Sequence, residues 1–159
     1  MGLESGSPRV RELMDKGVAQ ADVVRILHDA ADVGIRIRAL CIVGFPGETD
    51  AEFQETVSFI LEHQDRLSFF SLTPFQLARN SPMANDPSRY GLKVLADPIP
   101  RQERLRFLIP SQNEDGAPPI EGTRRFQEAI HQFLPWIETI TGPEPTHDWM
   151  HASVVRGGW

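Results

Sequence analysis

Two short glycine-containing segments carry the side chains of this sequence that could do chemistry. They are residues 2–7, Gly-Leu-Glu-Ser-Gly-Ser, and residues 44–49, Gly-Phe-Pro-Gly-Glu-Thr, and each stands just ahead of a predicted helix. Glycines let a ligand approach the backbone closely, and a helix N-terminus offers unpaired N–H groups. Glu4 and Glu48 could accept hydrogen bonds from hydroxyls or an ammonium group. The two segments therefore predict a site for a small polar ligand, with plain helix capping by the same residues as the alternative.

The elements around the second segment predict a βαβ unit. Residues 35–43 begin by alternating and end as a continuous apolar run, which is typical of a strand entering a parallel sheet. Residues 49–52 form a capping box ahead of a helix, and residues 67–73 read as the next strand. Strand, helix and strand in this order predict parallel strands joined by a right-handed crossover. Ligands bind at the carboxyl ends of such strands, so we expect the site there.

The other elements are predicted from the same kind of pattern. We expect helices over residues 8–16, 21–33 and 123–134, and strands over residues 90–95 and 105–109.

Composition limits the classes of function. The chain has 159 residues, too few for a complete (β/α)₈ barrel of about 250 residues. A net charge of −6 without a Lys/Arg-rich block argues against a nucleic-acid partner. No apolar run approaches the roughly 18 residues of a membrane span, so no membrane partner is predicted. Cys41 is the only cysteine, which excludes a disulfide within the chain and favours a reducing, cytoplasmic setting.

The order of the motifs resembles the radical SAM superfamily, and most of all its members that often carry an upstream cobalamin-binding domain. The resemblance runs from Gly2 to about Leu95. Its motifs are residues 2–7, Leu-Met-Asp-Lys-Gly at 13–17, Ile-Val-Gly-Phe-Pro-Gly-Glu-Thr at 42–49, Pro-Phe at 74–75 and Asn-Ser-Pro-Met at 80–83.

The resemblance implies an α/β fold: the later strands of a partial, TIM-like (β/α) barrel over residues 1–95. A mostly helical or irregular extension of unclear role would follow over residues 96–159. Radical SAM enzymes hold a four-iron four-sulfur cluster on a CxxxCxxC motif, and its open iron chelates S-adenosylmethionine. Cleavage then yields a 5′-deoxyadenosyl radical. Cobalamin would bind through an upstream domain.

The resemblance also implies which residues contact S-adenosylmethionine, all of them at strand ends, and it implies no catalytic residue and no metal ligand in this chain. They are the pair at the ribose or methionine portion (Glu4, Ser5), the pair flanking the adenine (Ile42, Gly44), the turn (Phe45, Pro46, Gly47, Glu48) and the end of the following strand (Thr73, Pro74).

The sequence departs from the family pattern in three places. Leu40 stands where the pattern has a glycine, and Glu48 falls one position later than the usual acid. The cysteine triad is missing, and Cys41 lies inside a predicted strand. We therefore expect the carboxyl-terminal part of a radical SAM enzyme, inactive alone and partnered by the missing half of the barrel or a split partner, with an unknown substrate. Such a piece should expose a strand edge over residues 40–43.

Two other classes of function stay open. One is a non-catalytic α/β module that binds a nucleoside or a partner, which a true start at Met1 without an upstream CxxxCxxC motif would favour. The other is a metal-dependent hydrolase using His147 and His151, whose spacing is similar to HExxH with Asp148 in the acid position. Stoichiometric zinc that is lost on His147→Ala would favour the hydrolase.

Overall fold

The computed structural model describes residues 1–95, 111–113, 124, 125, 127, 131–133 and 135. In chain order the elements are β1 (Gly2–Glu4), α1 (Pro8–Leu13), α2 (Gln20–Asp32), β2 (Ile37–Val43), α3 (Asp50–Glu62), β3 (Leu67–Pro74), α4 (Pro82–Asn85), a 3₁₀ helix (Pro87–Tyr90), β4 (Leu92–Val94) and β5 (Ser111–Asn113). The described residues between 124 and 135 are helical.

The central sheet contains three parallel strands in the order β1-β2-β3. The α/β class and the predicted βαβ unit are confirmed, while the TIM-like barrel stays a prediction. The prediction that residues 40–43 form an exposed strand edge is wrong, because β2 is hydrogen-bonded to β1 on one side and to β3 on the other. Leu40 is nonetheless 46% exposed, because its side chain lies on the sheet face opposite the main core.

The main core lies between the sheet and the helices α2 and α3. Alternate residues of β2 from Ile37 to Val43 are buried, as a strand with one covered face requires. They pack against apolar side chains of both helices and of β1 and β3, including Leu3, Val23, Leu27, Phe53, Val57, Ile60 and Leu72. The structure also places Phe133 in this core, with its ring centroid 4.5 Å from that of Phe70 in β3.

Helix boundaries follow local capping. The predicted capping box is confirmed at the start of α3, where Thr49 accepts from the Glu52 N–H and Glu52 accepts from the Thr49 N–H. Helix α2 differs from its prediction by one residue at each end. Helix α1 ends at Leu13 rather than near Gly17, because Asp15 takes the left-handed turn with a φ of 55°.

A smaller apolar cluster lies beyond the carboxyl ends of the strands. It contains Val10, Phe45, Phe75, Leu77 and Leu92, and the rings of Phe45 and Phe75 meet edge to face with centroids 5.4 Å apart.

The predicted strand at 90–95 is present as β4, paired antiparallel with β5. The predicted strand at 105–109 lies outside the described residues. No helix in the described part of the chain is long and apolar enough to cross a membrane.

Candidate functional site

The carboxyl ends of the three parallel strands lie side by side. Glu4 at the end of β1 is in register with Cys41 of β2, and Ile42 of β2 is in register with Thr73 of β3. The sheet therefore brings together predicted site residues from three separate segments of the chain. That these residues contact a cofactor stays a prediction.

The turn after β2 has a defined shape. Gly44 and Gly47 both have positive φ, 71° and 81°, a conformation that glycine adopts more readily than residues with a side chain. The Gly44 N–H donates to Glu48 Oε2 at 2.6 Å, and the Glu48 N–H donates to the Phe45 carbonyl at 2.9 Å. Phe45 and Pro46 are buried, whereas Gly47 is exposed and Gly44 is half-buried. The turn thus presents its two glycines outward and keeps its apolar side chains inside.

The carboxyl group of Glu48 is the charged group enclosed most deeply at this site. Its side chain has no exposed surface, and Arg125 Nη1 donates to Oε2 at 3.0 Å. The second oxygen, Oε1, is buried without a hydrogen-bond partner. Burial raises the pKa of Glu48 above its ordinary value, opposed by the Gly44 N–H and the Arg125 guanidinium. Two effects therefore compete at this carboxyl group: burial raises its pKa, and two donors at one oxygen oppose that rise.

The two predicted residues at the end of β1 differ in their surroundings. Glu4 has a φ of 66°, and its carboxylate lies 3.2 Å from Lys16 Nζ near the surface. Ser5 is fully buried, and its hydroxyl lies 3.1 Å from Thr56 Oγ1 and accepts from the Ser7 N–H at 3.1 Å. The Ser5 hydroxyl is therefore used within the fold, while Glu4 remains part-exposed at the strand end.

Sequence reasoning did not assign a role to Arg9. Its Nη2 donates to Glu52 Oε2 at 2.8 Å and to the Gly47 carbonyl at 2.6 Å, so it joins α1 to the turn after β2. The hydrogen bond from Arg9 to the Glu52 carboxylate is the main reason that the pKa of Glu52 falls to about 2. No local signal in the sequence links two residues 43 positions apart, and only their distance in the fold reveals the pair.

The residues of this chain do not fit an iron–sulfur cluster. Such clusters are held by several thiolates. Cys41 is the single cysteine, it is 2% exposed within the main core, and burial raises its pKa to about 12, which keeps the thiol protonated. Among the described residues no group of three or more His, Cys, Asp and Glu could hold a metal ion. His147 and His151, the ligands of the predicted hydrolase, lie outside them.

A groove of about 430 Å³ lies outside the predicted site. It is lined by the turn before α1, the start of α2 and one side of α3: Gly6, Pro8, Gln20, Ala51, Gln54, Glu55, Ser58, Phe59 and Glu62. None of the ten predicted site residues belongs to it.

Comparison with known proteins decides the family. The sequence profile of the radical SAM superfamily matches residues 1–60, from β1 through most of α3. The chain belongs to the radical SAM superfamily. The resemblance to the superfamily is therefore confirmed, while the likeness to the members with a cobalamin-binding domain stays a prediction.

Three relatives are each a ribosomal protein uS12 methylthiotransferase RimO. The protein of Chlorobium chlorochromatii is 39% identical over 85 residues, which cover 52% of this chain and 19% of the relative. The protein of Nitrosomonas europaea is 32% identical over 127 residues, which cover 76% of this chain and 26% of the relative. The protein of Stenotrophomonas maltophilia is 36% identical over 126 residues, which cover 74% of this chain and 25% of the relative. This radical SAM chain thus spans a fifth to a quarter of the length of these relatives.

Proposed function

We propose that this chain forms part of the S-adenosylmethionine site of a radical SAM enzyme. The observation that carries the proposal is the register of the sheet, which aligns the ends of β1, β2 and β3 at one edge. The family match over residues 1–60 covers the first two of these strand ends. In this family the bound S-adenosylmethionine supplies a radical that abstracts hydrogen from the substrate.

The part of this chain in the proposal is to bind the nucleoside portion of the cofactor. Gly44 leaves the backbone at the end of β2 open to a flat ring, because it has no side chain. Ile42 is half-buried and Thr73 is exposed, and the two are in register near the ends of β2 and β3. In the proposal, Ile42 forms an apolar wall for the adenine, and the backbone near Thr73 and Pro74 supplies its hydrogen bonds.

The chain is proposed to be inactive alone. Its one thiol is buried and protonated, so the cluster ligands have to come from residues other than Cys41. S-adenosylmethionine would then lack its iron contact and bind with a dissociation constant of about 1 mM or weaker, roughly −4 kcal/mol. A cobalamin domain and a barrel-completing partner remain part of the proposal. The family match favours this proposal over the nucleoside module and the hydrolase.

Chemical-shift mapping tests the proposed site. We expect millimolar S-adenosylmethionine to move the ¹⁵N–¹H resonances of the strand-end residues Ile42, Gly44, Gly47, Glu48 and Thr73. Resonances of α2 should not move. An unchanged spectrum at millimolar ligand would contradict the site. Micromolar affinity in calorimetry without iron would contradict the missing iron contact.

The reaction class is proposed from the relatives. Their shared name describes methylthio transfer to ribosomal protein uS12, and we extend the proposal to methylthio transfer but not to that substrate. A chimaera with this chain in place of the matched segment of the Nitrosomonas europaea relative tests it. We expect the chimaera to cleave S-adenosylmethionine and transfer methylthio groups, and loss of cleavage with an intact cluster would overturn the proposal.

A further inference from the structure

We propose that Arg125 is a positioning residue that holds the turn after β2 in its ligand-contacting shape. The inference rests on the proposed function, because it concerns the same turn. Arg125 lies 77 residues from Glu48 in the chain, and its side chain is only 8% exposed. It reaches the turn from the helical residues described between 124 and 135.

The Arg125 guanidinium contacts both the turn and the first residue of α3. Nη1 donates to Glu48 Oε2 at 3.0 Å, Nη2 donates to the Glu48 carbonyl at 3.0 Å, and Nε donates to Asp50 Oδ1 at 2.9 Å. The planar fork of arginine suits such a set, whereas the ammonium of lysine acts as a point charge. Arg125 therefore fixes the side chain of Glu48, its backbone and the first residue of α3 together.

The Glu48 carboxylate connects Arg125 to Gly44. Oε2 of Glu48 accepts from Arg125 and from the Gly44 N–H, so the same atom joins the C-terminal helical residues to the end of β2. A buried carboxylate without its cation is strongly destabilising. Without Arg125, Glu48 would take up a proton or move outward, and the Gly44 N–H would lose a short bond to a charged acceptor.

A second arginine holds the same turn less firmly. Arg9 Nη2 donates to the Gly47 carbonyl, but the Arg9 side chain is 52% exposed. Solvent screens exposed pairs more than buried ones. We therefore assign the larger share of the turn's positioning to Arg125.

Three variants of the full 159-residue chain test this role. Arg125→Gln removes the charge and most of the donors, and Arg125→Lys keeps the charge but removes the fork. Arg124→Gln is the matched control, because Arg124 is the adjacent arginine, its side chain is 45% exposed, and it lies 3.6 Å from Asp50. The measurements are the Gly44 amide resonance, the ¹³C titration of the Glu48 carboxyl group, the melting temperature and the affinity for S-adenosylmethionine.

We expect Arg125→Gln to move the Gly44 amide resonance upfield, to raise the titration midpoint of Glu48 and to weaken S-adenosylmethionine binding about fivefold or more. Arg125→Lys should keep the titration midpoint of Glu48 close to the wild-type value but should retain only part of the affinity for S-adenosylmethionine. Arg124→Gln should leave all of these readings at wild-type values. If Arg125→Gln does not fold, the comparison of Arg125→Lys with Arg124→Gln decides.

Several results would overturn the inference. They are a Gly44 resonance and a Glu48 midpoint in Arg125→Gln that match the wild type, or equal effects of Arg124→Gln and Arg125→Gln. A fall in melting temperature alone, with the Gly44 and Glu48 readings unchanged, would assign Arg125 a structural role and also overturn it. If the wild type binds no S-adenosylmethionine, the proposed function fails, while the Gly44 and Glu48 readings still decide the positioning role.

Discussion

The backbone of Gly6 lies directly against Thr56, with no room for a side chain between them. The Gly6 N–H donates to Thr56 Oγ1 at 2.9 Å, and a Cβ on Gly6 would lie 2.5 Å from Thr56 Cα. The turn after β1 therefore touches the backbone of α3 directly. This contact sets how closely the end of β1 approaches α3, the helix that follows β2.

Gly6→Ala tests the contact. A Cβ would also lie 2.6 Å from the Glu55 carbonyl, so backbone has to move, and we expect a loss of roughly 1–3 kcal/mol in the free energy of unfolding. Urea denaturation measures it. Gly17→Ala is the control, since nothing lies within 4 Å of its added Cβ, and it should be neutral or stabilise by up to about 1 kcal/mol. Equal stability of the two variants would contradict the close approach.

Thr56→Val tests the hydroxyl rather than the space. Thr56 is fully buried, and its hydroxyl accepts from the Gly6 N–H and pairs with Ser5. Valine keeps the shape but leaves the Gly6 N–H unsatisfied and removes the hydroxyl contact with Ser5, which should cost roughly 1–3 kcal/mol. Thr56→Ser keeps the hydroxyl and should retain more of the stability in the same urea experiment. A Thr56→Val protein more stable than Thr56→Ser would show that the hydrogen bonds matter less than the methyl group.

The pair of Arg9 and Glu52 predicts a dependence of stability on acid pH. The pKa of Glu52 falls from 4.5 to about 2, so the unfolded chain binds its proton first. The stabilisation is therefore present above about pH 4.5 and is lost as the pH falls toward 2. Its size is limited, because Arg9 is half exposed and solvent screens the pair.

Glu52→Gln removes the titrating group and should flatten this part of the curve of unfolding free energy against pH. Arg25→Gln is the control, because Arg25 forms exposed ion pairs on α2 and should leave the acid limb unchanged. A Glu52→Gln curve that falls as steeply as the wild type below pH 4.5 would refute the assignment.

Cys41 should be inert in the folded chain. It is 2% exposed, and burial raises the pKa of its thiol to about 12, so little thiolate forms near neutral pH. We expect a disulfide reagent at pH 8 to react at least about a hundredfold more slowly with the native chain than with the chain in denaturant. Rapid labelling of the native chain would show that Cys41 is accessible and would reopen its use as a ligand.

Local patterns predicted much of the fold, because their causes are local. The apolar spacing of α2, the capping box of α3 and the alternation of β2 each depend on residues within a few positions of one another. The strand-edge prediction at residues 40–43 was wrong for the opposite reason. Which strand occupies the centre of a sheet depends on pairing between distant segments, and such pairing leaves no short-range pattern.

The sequence by itself determined the family and the strand-end motifs. Glycines, prolines and capping residues each favour particular backbone conformations because of their own side-chain chemistry, so their positions can be interpreted from the sequence. Only the tertiary structure decided what surrounds Glu48. It brought Arg125 to that carboxylate across 77 residues and Arg9 to the adjacent turn, and it placed the Ser5 hydroxyl against Thr56. The energy of a buried charge depends on every group packed around it, so its partners emerge only when the whole chain has folded.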